Sequence, residues 1–127
     1  MTDVAILRKL VKNGREGKNI GTSTGLEKLN KVIGGIQPSR YYLISAASSA
    51  GKTALVLYLI YQILKNSPDP VYFLYFSLEI GTEMLLSKLV ALYCAEEFGV
   101  YLTTDDVFSF SEILGDHEYE CLEKGMD

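Results

Sequence analysis

Residues 41–53 read YYLISAASSAGKT and continue as ALVLYLIYQIL to Leu64. The apolar stretch 41–45 gives way to five small residues, then to Gly51, Lys52 and Thr53, then to about three turns of helix-forming side chains. A strand, a small-residue loop and a helix in that order are the setting of a phosphate-binding loop. A loop wrapped round a phosphate turns successive backbone N–H groups inward, which requires small side chains and a conformationally free residue such as Gly51. The helix that opens beside it adds orphan amides and a partial positive charge. Lys52 then neutralises β- and γ-phosphate oxygens, and the Thr53 hydroxyl ligates Mg²⁺.

The candidate NTP site is therefore Ala46, Ala47, Ser48, Ser49, Ala50, Gly51, Lys52, Thr53 and Ala54. The usual pattern is G-x-x-x-x-G-K-[ST], and Ala46 stands where its first glycine belongs. An ordinary strand-to-helix connection would also use a glycine and small residues. The strand before and the helix after are what favour the phosphate reading.

Downstream of the loop, residues 54–64 are apolar nearly all round, as in a helix buried against a sheet. After Pro68 and Pro70, the run 71–78, VYFLYFSL, has the β-branched and aromatic content of a parallel strand covered on both faces. Strand, helix and strand predict a right-handed βαβ unit. The expected fold is α/β, three layers built round a parallel sheet, with the loop and Glu79 at the same carboxyl edge. A carboxylate in that place orients or deprotonates an attacking water. It is equally suited to the first turn of the helix that residues 81–98 predict, and the residue alone leaves both roles open.

Upstream, Asp3 as N-cap, apolar Val4, Leu7, Leu10 and Val11, and Gly14 as a stop predict a short amphipathic helix over residues 3–13. Residues 14–25, GREGKNIGTSTG, read as a linker. Residues 26–33 predict a second helix closed by Gly34 and Gly35. In the tail, Thr104 is the expected cap of a helix over 105–110, and another is expected over 116–124. The domain reading is a helix and linker over 1–21, followed by an ATPase-like part over 22–127.

Composition bounds the rest. With 127 residues, 48% of them apolar, the chain has room for one domain with a core. No run approaches the ~18 apolar residues of a membrane span and no signal peptide opens the chain, so no membrane partner and a cytoplasmic location are expected. Cys94 and Cys121 have neither metal nor disulfide-framework spacing. His117, the only histidine, stands among Asp116, Glu118 and Glu120 and reads as a solvated surface residue. Residues 1–65 hold 10 Lys and Arg against 3 acids, and residues 66–127 hold 2 against 13, so any anionic partner belongs to the N-terminal half. A helix polar face carrying Arg8, Lys9 and Lys12 explains the same excess.

Three pieces in one order, TSTGLEKLNKVIGGIQPSRYYLIS, AASSAGKTALVLYLIYQIL and VYFLYFSLEIGTEMLLSKLVALY, carry a resemblance to the motor domain of DnaB-like replicative helicases, within the RecA-like P-loop ATPases. An alanine in the place of Ala46 is common in that family, and FSLE matches the strand that ends in its catalytic glutamate, here Glu79. The resemblance covers residues 22 to about 95. It departs at Ser39, where glycine is usual, and at Arg40, where an acidic or polar residue is. It implies ATP or another NTP with Mg²⁺ as cofactors, Lys52 and Glu79 as catalytic residues and Thr53 as the metal-binding one. For the complete protein it implies a homo-oligomeric ring on single-stranded DNA, and a helix before the lead-in that docks on the adjacent motor domain. The family's Walker B strand, DNA-binding loops and arginine finger lie downstream of the matched pieces. Asp105, Asp106, Asp116 and Asp127 follow no aliphatic strand that would make one of them a Walker B acid. The expectation is therefore an incomplete RecA-like core that on its own does not turn over ATP. Two other readings are a KaiC- or RadA-like ATPase, which shares the lead-in, and a non-catalytic assembly module.

Overall fold

The computed structural model describes residues 2–110 and 112–127, and among them six helices follow one another. These are α1 (Asp3–Arg15), α2 (Glu27–Ile33), α3 (Lys52–Asn66), α4 (Thr82–Phe98), α5 (Thr104–Val107) and α6 (Asp116–Met126). The chain divides into two compact units, one made of Met1–Ile44 with Gln62–Pro70, the other of Ser45–Tyr61 with Val71–Asp127.

The expected parallel sheet is not there. Among the described residues there is no strand, and the one β-bridge is the antiparallel pair Thr22 and Ile36. Residues 41–45 and 71–78 are neither helical nor laddered, so the βαβ unit and the three-layer RecA-like α/β core read from the sequence are overturned. The reason is physical. An apolar β-branched run sets an extended chain, but a strand exists only when a second chain segment answers its N–H and C=O groups. Neither run meets such a segment here, and both leave large apolar side chains exposed where the sequence suggested cover on both faces.

In the first unit, α1 has no buried residue, and Val4, Leu7, Leu10 and Val11 stand largely in solvent. Thr2 is its N-cap in place of Asp3, and the helix runs through Gly14 to Arg15. The segment expected to be a linker is tied down at its end. Thr22 and Ile36 exchange N–H···O bonds of 2.9 and 2.8 Å. Their approach needs Gly35, whose φ is +76° and where an added Cβ would lie 2.7 Å from the Gly21 carbonyl oxygen. Fully buried Thr24 donates its hydroxyl to Asn30 Oδ1 at 2.7 Å, and Asn30 Nδ2 donates to Ser23 Oγ at 2.9 Å. These bonds hold the start of α2, which ends in left-handed Gly34 as the sequence suggested. Side-chain knots of this kind, like caps, let short helices persist that propensity alone would not.

The second unit is where the core sits. Cys94 of α4 packs against Cys121 and Leu122 of α6, with Val90, Tyr93, Val100, Leu102, Val107 and Leu114 around them. α4 begins after Gly81, its N-cap, and closes at left-handed Gly99. There Gly99 N–H bonds to Ala95 O at 3.1 Å and Val100 N–H to Cys94 O at 3.2 Å, which turns the chain back toward the core. Thr103, not Thr104, caps α5. Its hydroxyl accepts from Asp106 N–H at 3.2 Å, while its own N–H donates to Asp106 Oδ2 at 2.7 Å. The Thr103 hydroxyl and amide together hold the Asp106 carboxyl below the usual carboxylate range. Lys124 lies 5.5 Å over the Phe98 ring and joins α6 to the end of α4.

Candidate phosphate-binding loop

The loop expected from sequence leads directly into α3. Residues 46–51 are exposed, Ala50 N–H bonds to Ala47 O at 3.2 Å, and α3 starts at Lys52. Two residues of the loop have left-handed backbone, Ser49 at φ +60° and Gly51 at φ +93°. Gly51 fits that conformation without strain, whereas Ser49 is a non-glycine residue held in it. Such residues concentrate in ligand clamps, where the surrounding chain over-determines them.

The first backbone bond after the loop runs from Leu55 N–H to Gly51 O at 2.9 Å. Among the described residues, the amides of Lys52, Thr53 and Ala54 therefore have no backbone acceptor. No acidic side chain occupies the first turn of α3. Exposed small residues, open space at the Gly51 Cβ position, three free amides and a helix N-terminus are a donor set that fits a polyphosphate. Lys52 is turned onto its own loop, donating to Ala46 O at 3.1 Å and Ala47 O at 3.2 Å. Its ammonium thus rests against the carbonyls of its own loop. Thr53, half-buried in the first turn, is the hydroxyl suited to Mg²⁺.

Glu79 is exposed in the bend before α4, a bend closed by Ser77 Oγ, which donates to Ile80 O at 2.7 Å and accepts from Ile80 N–H at 3.3 Å. Among the described residues its carboxylate makes no hydrogen bond or ion pair. The sheet edge expected to carry Glu79 is absent among the described residues, and Lys52 is the site residue with hydrogen bonds to the loop. His117 is exposed, and no group of three metal-ligating side chains gathers among the described residues. Cys94 and Cys121 are buried free thiols, and burial, then the neighbouring Cys121, pushes the Cys94 thiol up from its ordinary value.

One feature behind the loop was missed by the sequence reading. An open pocket of about 520 Å³ is lined by Ala54 and Leu57 of α3, Lys88, Ala91, Leu92 and Ala95 of α4, and residues 101–104. The signal for it was present in the four-residue spacing of Ser87, Ala91 and Ala95, small residues that keep one face of α4 low.

The family model for the DnaB-like helicase C terminal domain matches residues 21–99, a span that holds both the loop and Glu79. The chain is 38% identical over 72 residues to the replicative DNA helicase DnaB of Treponema pallidum (strain Nichols), covering 57% of this chain and 16% of that protein. It is 37% identical over 78 residues to the replicative DNA helicase DnaB of Pasteurella multocida (strain Pm70), covering 60% and 16%. Against the replicative DNA helicase DnaC of Bacillus subtilis (strain 168) the identity is 31% over 84 residues, covering 66% and 17%. The match thus spans 16 to 17% of the length of these relatives. No solved structure matches.

Proposed function

Because the chain belongs to the DnaB-like helicase C-terminal domain family, we propose that it carries the nucleotide-binding part of a replicative DNA helicase motor. The observation that supports this most directly is the loop: left-handed Ser49 and Gly51 ahead of three α3 amides without backbone acceptors, inside the matched span. Ala46, Ala47, Ser48, Ser49 and Ala50 wrap the phosphates of ATP or another NTP, and Gly51 and Ala54 leave room for close backbone approach. Lys52 leaves the Ala46 and Ala47 carbonyls and neutralises phosphate charge. The Thr53 hydroxyl would hold Mg²⁺, which would supply charge screening of the phosphates. Glu79 is the group that takes a proton from the attacking water.

In the complete protein this part works in a cytoplasmic, homo-oligomeric ring on single-stranded DNA, and NTP hydrolysis drives unwinding during replication. The exposed apolar stripe of α1 suits docking on a neighbouring copy. No helix of the described residues is long and apolar enough to cross a membrane. The test is titration calorimetry with ATP, with and without Mg²⁺. The expected result is a saturable heat whose Mg²⁺ dependence is lost in Thr53→Ala. Absence of heat from the unsubstituted chain at millimolar ATP contradicts the reading.

A further inference from the structure

Cys94 and Cys121, the two cysteines of the chain, are free thiols for which the nucleotide reading has no use. They are 0% and 3% exposed and lie in one packed cluster, Cys94 on α4 and Cys121 on α6. The two helices also meet one turn further on, where a Cβ added at Gly125 would lie 2.9 Å from Tyr93 Cδ1 and from Val90 Cγ1. Gly125 follows Cys121 by one turn and Val90 precedes Cys94 by one turn, so α6 runs antiparallel to α4 with the two cysteines at one level of the contact. The missing side chain at Gly125 lets the helices pass close there. Facing residues of helices packed about 8–10 Å apart, with Cα atoms about 2.3 Å from each axis, overlap the Cα range of about 4.4–6.8 Å that a disulfide needs. The charge of Cys121 is also felt at Cys94, where after burial it is the next cause that pushes the thiol up, as neighbouring sulfurs require.

We infer that Cys94 and Cys121 are a redox-sensitive pair, which a low-molecular-weight disulfide such as oxidised glutathione closes into a cross-link between α4 and α6. One thiolate attacks the glutathione disulfide, forms a mixed disulfide and releases one glutathione thiol. The other attacks the protein sulfur of that mixed disulfide and releases the second. Two protein thiols are oxidised to one disulfide, the oxidant is reduced to two glutathione thiols, and the two protons pass to the released glutathione. Burial sets the rate, because both sulfurs are closed to an oxidant until α6 lifts from α4. In a reducing compartment the pair stays as thiols, and the bond forms when oxidant accumulates. It closes a loop over residues 95–120, which carries the Gly99 turn and α5, and it acts mainly by restricting the unfolded chain. The pair shares no residue with the phosphate-binding loop or Glu79, so it stands or falls separately from the nucleotide reading.

The test is equilibration of the full chain with mixtures of reduced and oxidised glutathione, quenched with N-ethylmaleimide and read by intact mass. The expected species is two hydrogens lighter than the reduced chain and carries neither glutathione nor maleimide. Its ratio to the dithiol gives the effective concentration of one thiol at the other. A bond that stabilises the fold is favoured by the fold to the same extent, so this concentration is expected to be at least about tenfold higher in native buffer than in concentrated urea. The oxidised chain should unfold at higher urea than the reduced one, and dithiothreitol should remove the shift. Cys121→Ser treated in the same way is expected to take up at most one glutathione and to unfold no later than before treatment. A chain that keeps both thiols, or carries glutathione on them without an internal bond, overturns the inference. So does an effective concentration in native buffer no higher than in urea.

Discussion

The loop at residues 46–51 and the α4, α5 and α6 core belong to one unit and are built on opposite terms. The core has buried Cys94, Cys121 and Leu122, a closed C-terminal turn at Gly99 and a reciprocal cap at Thr103. No buried side-chain polar atom among the described residues lacks a partner. The loop is exposed, keeps Ser49 and Gly51 in left-handed backbone, and leaves three amides without backbone acceptors. Packing is concentrated in one region and unused hydrogen-bonding capacity in the other. Ligand-binding segments are drawn from the low-stability end of a structure because their donors must be free for the ligand. Substitutions in the two regions should therefore separate cleanly, chemistry lost in one and stability in the other.

The widest separation is expected at Glu79. In a complete motor carrying this segment, Glu79→Gln keeps the shape of the side chain and removes its basicity. Nucleotide binding should persist while hydrolysis falls at least ~100-fold, as loss of a general base does. Steady-state phosphate release beside a binding titration measures both, and unchanged turnover would leave Glu79 a residue of the bend before α4 with no part in the chemistry.

Gly125 tests the core from the other side. A Cβ there would lie 2.9 Å from side-chain carbons of Tyr93 and Val90, so α6 meets α4 at this point with no room to spare. Gly125→Leu should cost about 1–3 kcal/mol through overpacking, read from denaturant unfolding, with nucleotide affinity unchanged at temperatures where the variant is folded. A stability loss near zero would show that α6 is not seated on α4.

A smaller effect is expected from the Cys94 thiol. Burial raises its folded pKa above the ordinary 9.0, so the folded state holds its proton where the unfolded chain gives it up. The associated stability is full below about pH 9 and is lost as pH climbs from there through the folded value. Denaturant midpoints should decline as pH rises above 9, and Cys94→Ala should flatten that decline while lowering stability at all pH. An equal slope in the variant would place the alkaline sensitivity elsewhere.

These regions also differ in how far they could be read from sequence. Helices close their hydrogen bonds locally, so α2, α3, α4 and α6 lie where spacing and glycines put them, with ends displaced by a residue or two. The place of the small-residue loop ahead of α3 was legible for the same reason, since a helix start is set by its own local sequence. Residues 41–45 and 71–78 were misread because a strand is a relation between segments, and the partner is not written in the run itself. Ser23 and Thr24, which bond to Asn30 of α2, were taken for linker because polar residues that satisfy one another look, in sequence, like polar residues that satisfy water.

The central claim, that the loop ahead of α3 is a phosphate clamp whose cation now rests on its own carbonyls, is tested most directly at Lys52. Its ammonium contacts Ala46 O and Ala47 O in an exposed loop, so Lys52→Ala should leave thermal unfolding within about 0.5 kcal/mol of the parent. Loss of charge-assisted bonds to phosphate should weaken Mg²⁺–ATP binding by about 1.5–3 kcal/mol, roughly 10- to 150-fold. Titration calorimetry and thermal unfolding on the same preparations give both numbers. Affinity that falls while stability holds is the result the account predicts. Unchanged affinity, or a loss of affinity that merely tracks a loss of folding, would contradict it.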